Sequence, residues 1–403
     1  MIRKGRRRVI DKGIWVFIFF LPFLSPVAYF GLLVALIYWF RNIKFSTVLN
    51  FKPRIFVFAL IGWIFAVLLS VIFSINRVSS FGAFALFLFY PLVCLLIADS
   101  VRDSNGAERI LQVAILSGVI VTAFGVVQYY TRLNLKFNVP FLKMSISTAP
   151  GITSTLGNPN RLAGYLGLIL PLTFAFLLAR KGIRKKILPG IVATLGLICL
   201  FFAKSLGGMM AIFVVVITIS VIRNWKFSLI LLALIFVFLT FNLSWITGVI
   251  NKYSNLKPRL NAWEEVVPRV FKDYPITGSG LATYKEISYK YSKNPELVRS
   301  HAHSLYFNYL SELGIIGLGA LLSVIIIFFY NCIVYLRKHS FLTAGGIIGG
   351  CTLSIFAVLI YGLVTTFLDY FQLGLLFWVV IGVGMGFLRS QVPVKKVSSM
   401  ENS

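Results

Sequence analysis

Long apolar runs recur along the chain, and they constrain the fold more than any other feature. A helix needs about 20 apolar residues to cross the hydrocarbon of a bilayer. Clear runs cover 55–75, 81–98, 108–130, 161–179, 187–203, 206–222, 227–246, 305–334, 341–366 and 370–388. Only 13% of the 403 residues are charged, and 58% are hydrophobic. A soluble domain carries about 25% charged residues, so a soluble multi-domain protein and a disordered chain are both excluded. In lipid every backbone polar group must be satisfied internally, which helices do. The expected fold class is an all-α polytopic membrane protein.

The stretch 13–40 is too long for one plain span and short for two, and Pro22 and Pro26 interrupt its middle. Charge parity decides between one crossing and two. Suppose the loop 180–186, with Arg180, Lys181, Arg184, Lys185 and Lys186, faces the cytoplasm. Segment 41–54 then does so too. Two crossings of 13–40 place Arg3, Lys4, Arg6, Arg7, Arg8 and Lys12 inside as well, as the positive-inside rule prefers. The expectation is twelve spans with both termini cytoplasmic, spans 1–9 within 1–246, a large outer loop 247–304, spans 10–12 within 305–388, and a cytoplasmic tail 389–403.

This arrangement sorts the net charge of +27. Twenty-four of the 39 Lys and Arg fall on the inner side, and nine of the other 15 lie in the loop 247–304. The imbalance is an orientation signal rather than a nucleic-acid footprint. The inner connections are short and hold no P-loop, so an ATP-driven pump is not expected. No internal repeat is evident, which weakens a transporter built from two halves. Chemistry or binding belongs on the outer face, in the loops 131–160 and 247–304. Cys94, Cys199, Cys332 and Cys351 sit in apolar runs without a CxxC pair and read as free buried thiols. The N-terminal segment reads as a retained anchor, since no small-residue cleavage site follows its apolar run.

Three segments carry residues suited to chemistry. The first is Thr153–Arg161, where Gly157-Asn158-Pro159-Asn160 turns into a span that opens with Arg161. Read alone it is a turn with a helix cap, Asn160 being the expected capping residue. The second is Pro258-Arg259-Leu260-Asn261-Ala262-Trp263. Leu260, Trp263, Val267 and Val270 recur at helical spacing, which predicts an amphipathic helix on the membrane surface, bent at Pro268. Arg259, Arg269 and Lys272 are then either phosphate clamps or headgroup contacts. Asp273-Tyr274-Pro275 ends that helix, and Gly278-Ser279-Gly280 is a tight turn. The third is Ser300-His301-Ala302-His303-Ser304 just before a span. A histidine at the mouth of a membrane cavity suits a general base, or it is simply an interfacial polar residue. A metal site at His301 and His303 lacks further ligands, and no metal or other cofactor is expected. Lys204 in a very short outer turn is costly so near hydrocarbon unless it snorkels or works. Asp369, between the last two spans, is a carboxylate able to pair with a cation. His339 reads as a solvated surface residue.

Taken in order, these segments resemble the O-antigen ligase/polymerase superfamily of bacterial membrane glycosyltransferases. Gly157-Asn158-Pro159-Asn160 is followed by Leu162, Ala163 and Tyr165. Arg259 precedes Trp263, Asp273-Tyr274-Pro275 and Gly278-Ser279-Gly280. His303-Ser304 is followed after nine residues by Gly314-Ile315-Ile316-Gly317. The resemblance implies a GT-C-like fold in a bacterial cytoplasmic (inner) membrane, with the active face outward. It implies inverting, metal-independent transfer of a glycan from undecaprenyl pyrophosphate to a glycan or lipid-A-core-like acceptor, with no nucleic acid involved. His303 would be the base on the acceptor hydroxyl, and Arg259 would hold the pyrophosphate. Lys204, Arg161, His301, Asn158 and Asp369 would line the substrates. The family's further arginine at the start of span eight is absent, since Leu206 stands there; Lys204 or Arg161 would take its place. A polysaccharide polymerase of the same superfamily is the nearest alternative, and a lipid-linked sugar flippase or transporter is the other.

Overall fold

The protein is described by a computed structural model over residues 2–43, 51–133, 135–139, 142–146, 151–226, 259–339 and 346–391. The apolar run 227–246, Pro258 and most of the tail 389–403 lie outside the described residues. The chain folds as a polytopic helical membrane protein. In order it forms α1 (Ile2–Phe20), α2 (Ser25–Phe40), α3 (Arg54–Ile72), α4 (Arg77–Phe87), α5 (Phe89–Ser100), α6 (Ser104–Thr131), α7 (Pro159–Ala179), α8 (Ile183–Phe202) and α9 (Leu206–Arg223). Then follow α10 (Val267–Asp273), α11 (Tyr284–Tyr291), α12 (Leu305–Lys338), α13 (Gly346–Gly362) and α14 (Phe371–Ser390). A two-stranded antiparallel hairpin, β1 (Leu135–Val139) and β2 (Leu142–Ile146), pairs Leu135 with Ile146 after α6. Among the described residues, eight helices are long and apolar enough to cross a membrane, α4 and α5 counting as one, and α2 and α13 are shorter apolar helices.

The stretch 13–40 resolves into two helices. The turn Leu21–Phe23 separates α1 from α2, and Pro26 sits in the first turn of α2, where its missing N–H costs nothing. α7 and α14 form the centre, with 78% and 83% of their apolar stretches buried, whereas α9 is peripheral at 22%. α14 lies against α5 through Gly382 and Gly386, four residues apart, where an added Cβ would press on the carbonyls of Cys94 and Ala98. Small residues at this spacing let helix backbones approach closely in lipid.

Contacts sort the helix ends into two sets. At one end Arg389 pairs with Asp99 at 3.2 Å and Trp39 donates to Asp99 at 3.1 Å. Arg180 pairs with Glu108 there, and Arg109 and Arg7 act on Asp11. At the other end Thr155 donates to the Pro22 carbonyl at 2.9 Å, Asn76 to Glu286 at 2.8 Å and Ser80 to the Leu281 carbonyl at 2.7 Å. Each set joins only segments that charge parity assigns to one side. The four cysteines are free and buried.

Candidate functional site

The segments singled out above converge at this second end. Residues 261–266 form a π-helical stretch that runs directly into α10, with Pro268 in the first turn of α10. Of the four apolar positions expected on one face, Trp263, Val267 and Val270 pack inward and Leu260 does not. Ala262, Val266, Val267 and Val270 are buried against Tyr284, Ile287 and Ala302, while Leu260 is 42% exposed. The wider turn of a π-helix shifts the start of the stripe, and π-bulges concentrate at functional sites. The face expected to lie on the membrane therefore packs onto the loop's own core.

Trp263 and Ala302 carry the key contact. The indole Nε1 donates to the Ala302 carbonyl at 2.7 Å, and the Ala302 N–H donates to Asn308 Oδ1 at 3.0 Å. Both polar groups of the residue between the two histidines are thus fixed. Asn308 also donates through Nδ2 to Asp369 at 3.4 Å. The segment is not helical, and His303 adopts φ +54°, a left-handed value that a non-glycine residue takes only when its surroundings impose it. That bend brings the two imidazole rings to 4.5 Å between centroids, which a regular helix would not do at this spacing. His301 Nδ1 lies 2.9 Å from Ser300 Oγ.

Electrostatically this corner is positive. Burial pushes the His303 imidazole down to about 3, and His301, Arg259 and Arg299 add to the shift. Burial, then Arg259, lowers His301. Burial also lowers the Arg259 guanidinium, opposed by Tyr361. Arg299 donates to the Glu296 and Val298 carbonyls. Glu265, the nearby acid, is spent on Arg269 at 3.4 Å. Among the described residues neither Arg259 nor Arg299 has an acidic partner. His303 Nε2 and Arg259 Nε are both buried and without a hydrogen-bond partner among those residues. Buried polar atoms are normally paired, so each such orphan calls for an explanation.

Below this corner the turn 275–280 docks into a break in α12. Gly314 has φ +64°, and the amides of Ile315 and Ile316 donate to the Pro275 and Ile276 carbonyls at 3.0 and 3.3 Å. Ser279 and Gly280 donate back to the Ser311 and Glu312 carbonyls at 2.9 and 3.0 Å. A Cβ on Gly314 would overlap the Ile276 carbonyl, and one on Gly278 would overlap the Glu312 backbone. Glu312 Oε1 accepts from the Tyr284 amide at 3.0 Å. The Gly-Ser-Gly turn and the glycine after His303 are therefore two halves of one joint.

The Gly157–Arg161 segment completes the site. Asn158, not Asn160, caps α7: its side chain accepts from the amides of Asn160 at 2.8 Å and Arg161 at 3.4 Å. Pro159 takes the first helical position, which moves the cap two residues earlier. The Asn160 carbonyl accepts from Tyr361 at 3.0 Å, and Asn160 Oδ1 lies 3.5 Å from Ser205 Oγ. Lys204, beside Ser205, is exposed in the turn between α8 and α9 with φ +55°. The Arg161 guanidinium lies 4.5 Å above the Tyr370 ring, and its Nε is buried without a partner among the described residues. Asp369 faces a cavity yet is ringed by protein, and this desolvation raises its carboxyl. His301, His303, Arg259, Arg161, Asn158, Asp369 and the turn bearing Lys204 thus share one end. His339 lies at the other, stacked on Tyr335 at 4.2 Å. Sequence reasoning missed Asn308, Tyr361 and Arg299; only Asn308, polar in the first turn of an apolar span, left a visible sign. No group of three or more His, Cys, Asp or Glu able to hold a metal occurs among the described residues.

Comparison with curated proteins gives no match. Residues 160–322 match the family model described as O-antigen ligase. The matched stretch takes in Arg161, Lys204, Arg259, both histidines and the Gly314 joint. Over residues 160–322 the chain is thus similar to the O-antigen ligase family.

Proposed function

We propose that the protein is an O-antigen ligase-type glycosyltransferase that moves a glycan from undecaprenyl pyrophosphate to an acceptor hydroxyl. One observation carries this reading: the orphaned Nε2 of His303 and the orphaned Nε of Arg259 share one buried, positive corner. His303 Nε2, unprotonated, accepts the proton of the acceptor hydroxyl. The freed oxygen attacks the anomeric carbon from the face opposite the pyrophosphate, and the bond from that carbon to the phosphate oxygen breaks. The configuration inverts, and the electron pair leaves on the pyrophosphate. Arg259 meets that charge as a bidentate donor, and a fixed cation in a partly desolvated site needs no reorganisation during reaction. Lys204 supplies a second cation as a point charge in place of the family arginine.

The twelve-span arrangement belongs to the same reading. It counts twelve crossings from the apolar runs, with both termini in the cytoplasm and the site facing outward from a bacterial inner membrane. The test is reconstitution: purified protein in proteoliposomes, lipid-linked glycan as donor, with and without a chelator. Transfer unaffected by the chelator is expected. Inhibition that a divalent ion reverses would restore a metal role for His301 and His303. The glycan profile of a deletion strain separates the superfamily's two activities: unattached polymer marks a ligase, single repeat units a polymerase.

A further inference from the structure

Beside the histidine corner lies a cavity of about 510 Å³ that the mechanism above does not use. It opens between the turn after α1, the cap of α7 and the start of α14. Its chemistry differs from that of the corner. Arg161 and Asp369 both line it, so its formal charges cancel, whereas Arg259 and Arg299 in the corner have no acidic partner among the described residues. Around them stand aromatic rings, Tyr29 and Tyr370 among them, and neutral polar side chains, Thr155 and Gln372 among them. The Arg161 guanidinium lies over the Tyr370 ring with its buried Nε unpartnered among the described residues.

We propose that this cavity is a saccharide subsite, separate from the contacts to the pyrophosphate. The proposal rests on the transferase reading above. A neutral sugar presents hydroxyls that donate to a carboxylate and accept from a guanidinium or amide, and it presents C–H faces that pack on aromatic rings. Convergent polar groups with apolar walls are the general pattern of such pockets. A pyrophosphate gains nothing from a cavity whose charges cancel, and it gains much from the corner of Arg259 and Arg299. Position agrees with chemistry. Asn308 joins Asp369 on the cavity wall to the Ala302 amide between the two histidines. A sugar seated against Asp369 therefore lies one side chain away from the segment that carries the base.

The test is direct binding to the full-length protein in nanodiscs. The probe is the oligosaccharide released by mild acid from the host's lipid-linked glycan, which carries neither lipid nor pyrophosphate. Wild-type protein is expected to bind it, with Kd raised at least tenfold by Asp369→Asn, Gln372→Ala and Tyr29→Ala. Three substitutions are used so that one misfolded variant does not decide the matter, and each must keep the wild-type unfolding midpoint. Inorganic pyrophosphate is expected not to displace the sugar. Absence of binding to the wild type, unchanged Kd in folded variants, or displacement by pyrophosphate would overturn the subsite. Binding without transfer in the reconstituted assay would leave the subsite standing and sink the transferase reading. Transfer without binding would do the reverse.

Discussion

At the residue scale, the surroundings of His303 weaken the base proposed for it. Burial and three positive or positivisable neighbours push the free imidazole down to about 3. It is therefore neutral at physiological pH and able to accept a proton, but a poor acceptor until negative charge arrives. A bound pyrophosphate offsets Arg259 and Arg299 and raises the imidazole again. The pH dependence of kcat/KM reports free enzyme, and that of kcat reports the bound state. Because the free value is depressed, the unprotonated form persists to lower pH. The acid limb of kcat/KM is expected well below the ordinary histidine value of about 6.5, and that of kcat above it on the pH scale. Two coincident limbs near 6.5 would show that the corner does not tune the base. Arg259→Lys keeps the charge and loses the fork. It is expected to lower kcat/KM by roughly 10- to 100-fold, about 1.4 to 2.7 kcal/mol of transition-state stabilisation, with little change in the unfolding midpoint. Full activity of this variant would reduce Arg259 to a surface anchor. The two candidates were legible as types and spacing: a histidine before a span, an arginine one helical turn before a tryptophan. The partners were not, because Asn308 and Ala302 meet Trp263 only through tertiary folding.

At the scale of elements, the joint between 275–280 and α12 explains why glycines stand where they do. Gly314 must hold φ +64° while the Ile276 carbonyl occupies the place of its missing Cβ. Gly314→Ala combines a strained backbone with a steric overlap, and such substitutions cost more than the roughly 1 kcal/mol of an unstrained change. The expected result is a loss of about 2 kcal/mol or more, read as a lower thermal midpoint. Gly319→Ala, on the same helix with open space at its Cβ, is expected to leave the midpoint unchanged or raise it slightly. Equal midpoints for the two variants would contradict the joint. The sequence showed a tight turn and a patterned glycine as separate signals, and nothing local says that one docks into the other. The helix before them shows the same limit. Its apolar stripe was read at ordinary helical spacing, and the π-helical turn at 261–266 moved Leu260 out to 42% exposure.

At the scale of the whole molecule, hydropathy foretold a polytopic helical membrane protein, because a bilayer leaves a chain few choices. The described helices fall in the apolar runs, 13–40 divides into two helices, and the contacts at the two ends join segments that charge parity puts together. A single cysteine in a cysteine-free background tests the orientation on intact cells. Ser300→Cys is expected to react with a membrane-impermeant maleimide, and Lys181→Cys only after permeabilisation. The reverse pattern would turn the molecule over. What this architecture does is tested most directly by one measurement: transfer from lipid-linked donor by purified His303→Ala in proteoliposomes, beside wild type. Loss of a general base costs about 10²- to 10⁴-fold. The account predicts a rate reduced by at least 100-fold, with membrane insertion and thermal midpoint unchanged. Transfer within a few-fold of wild type would contradict it.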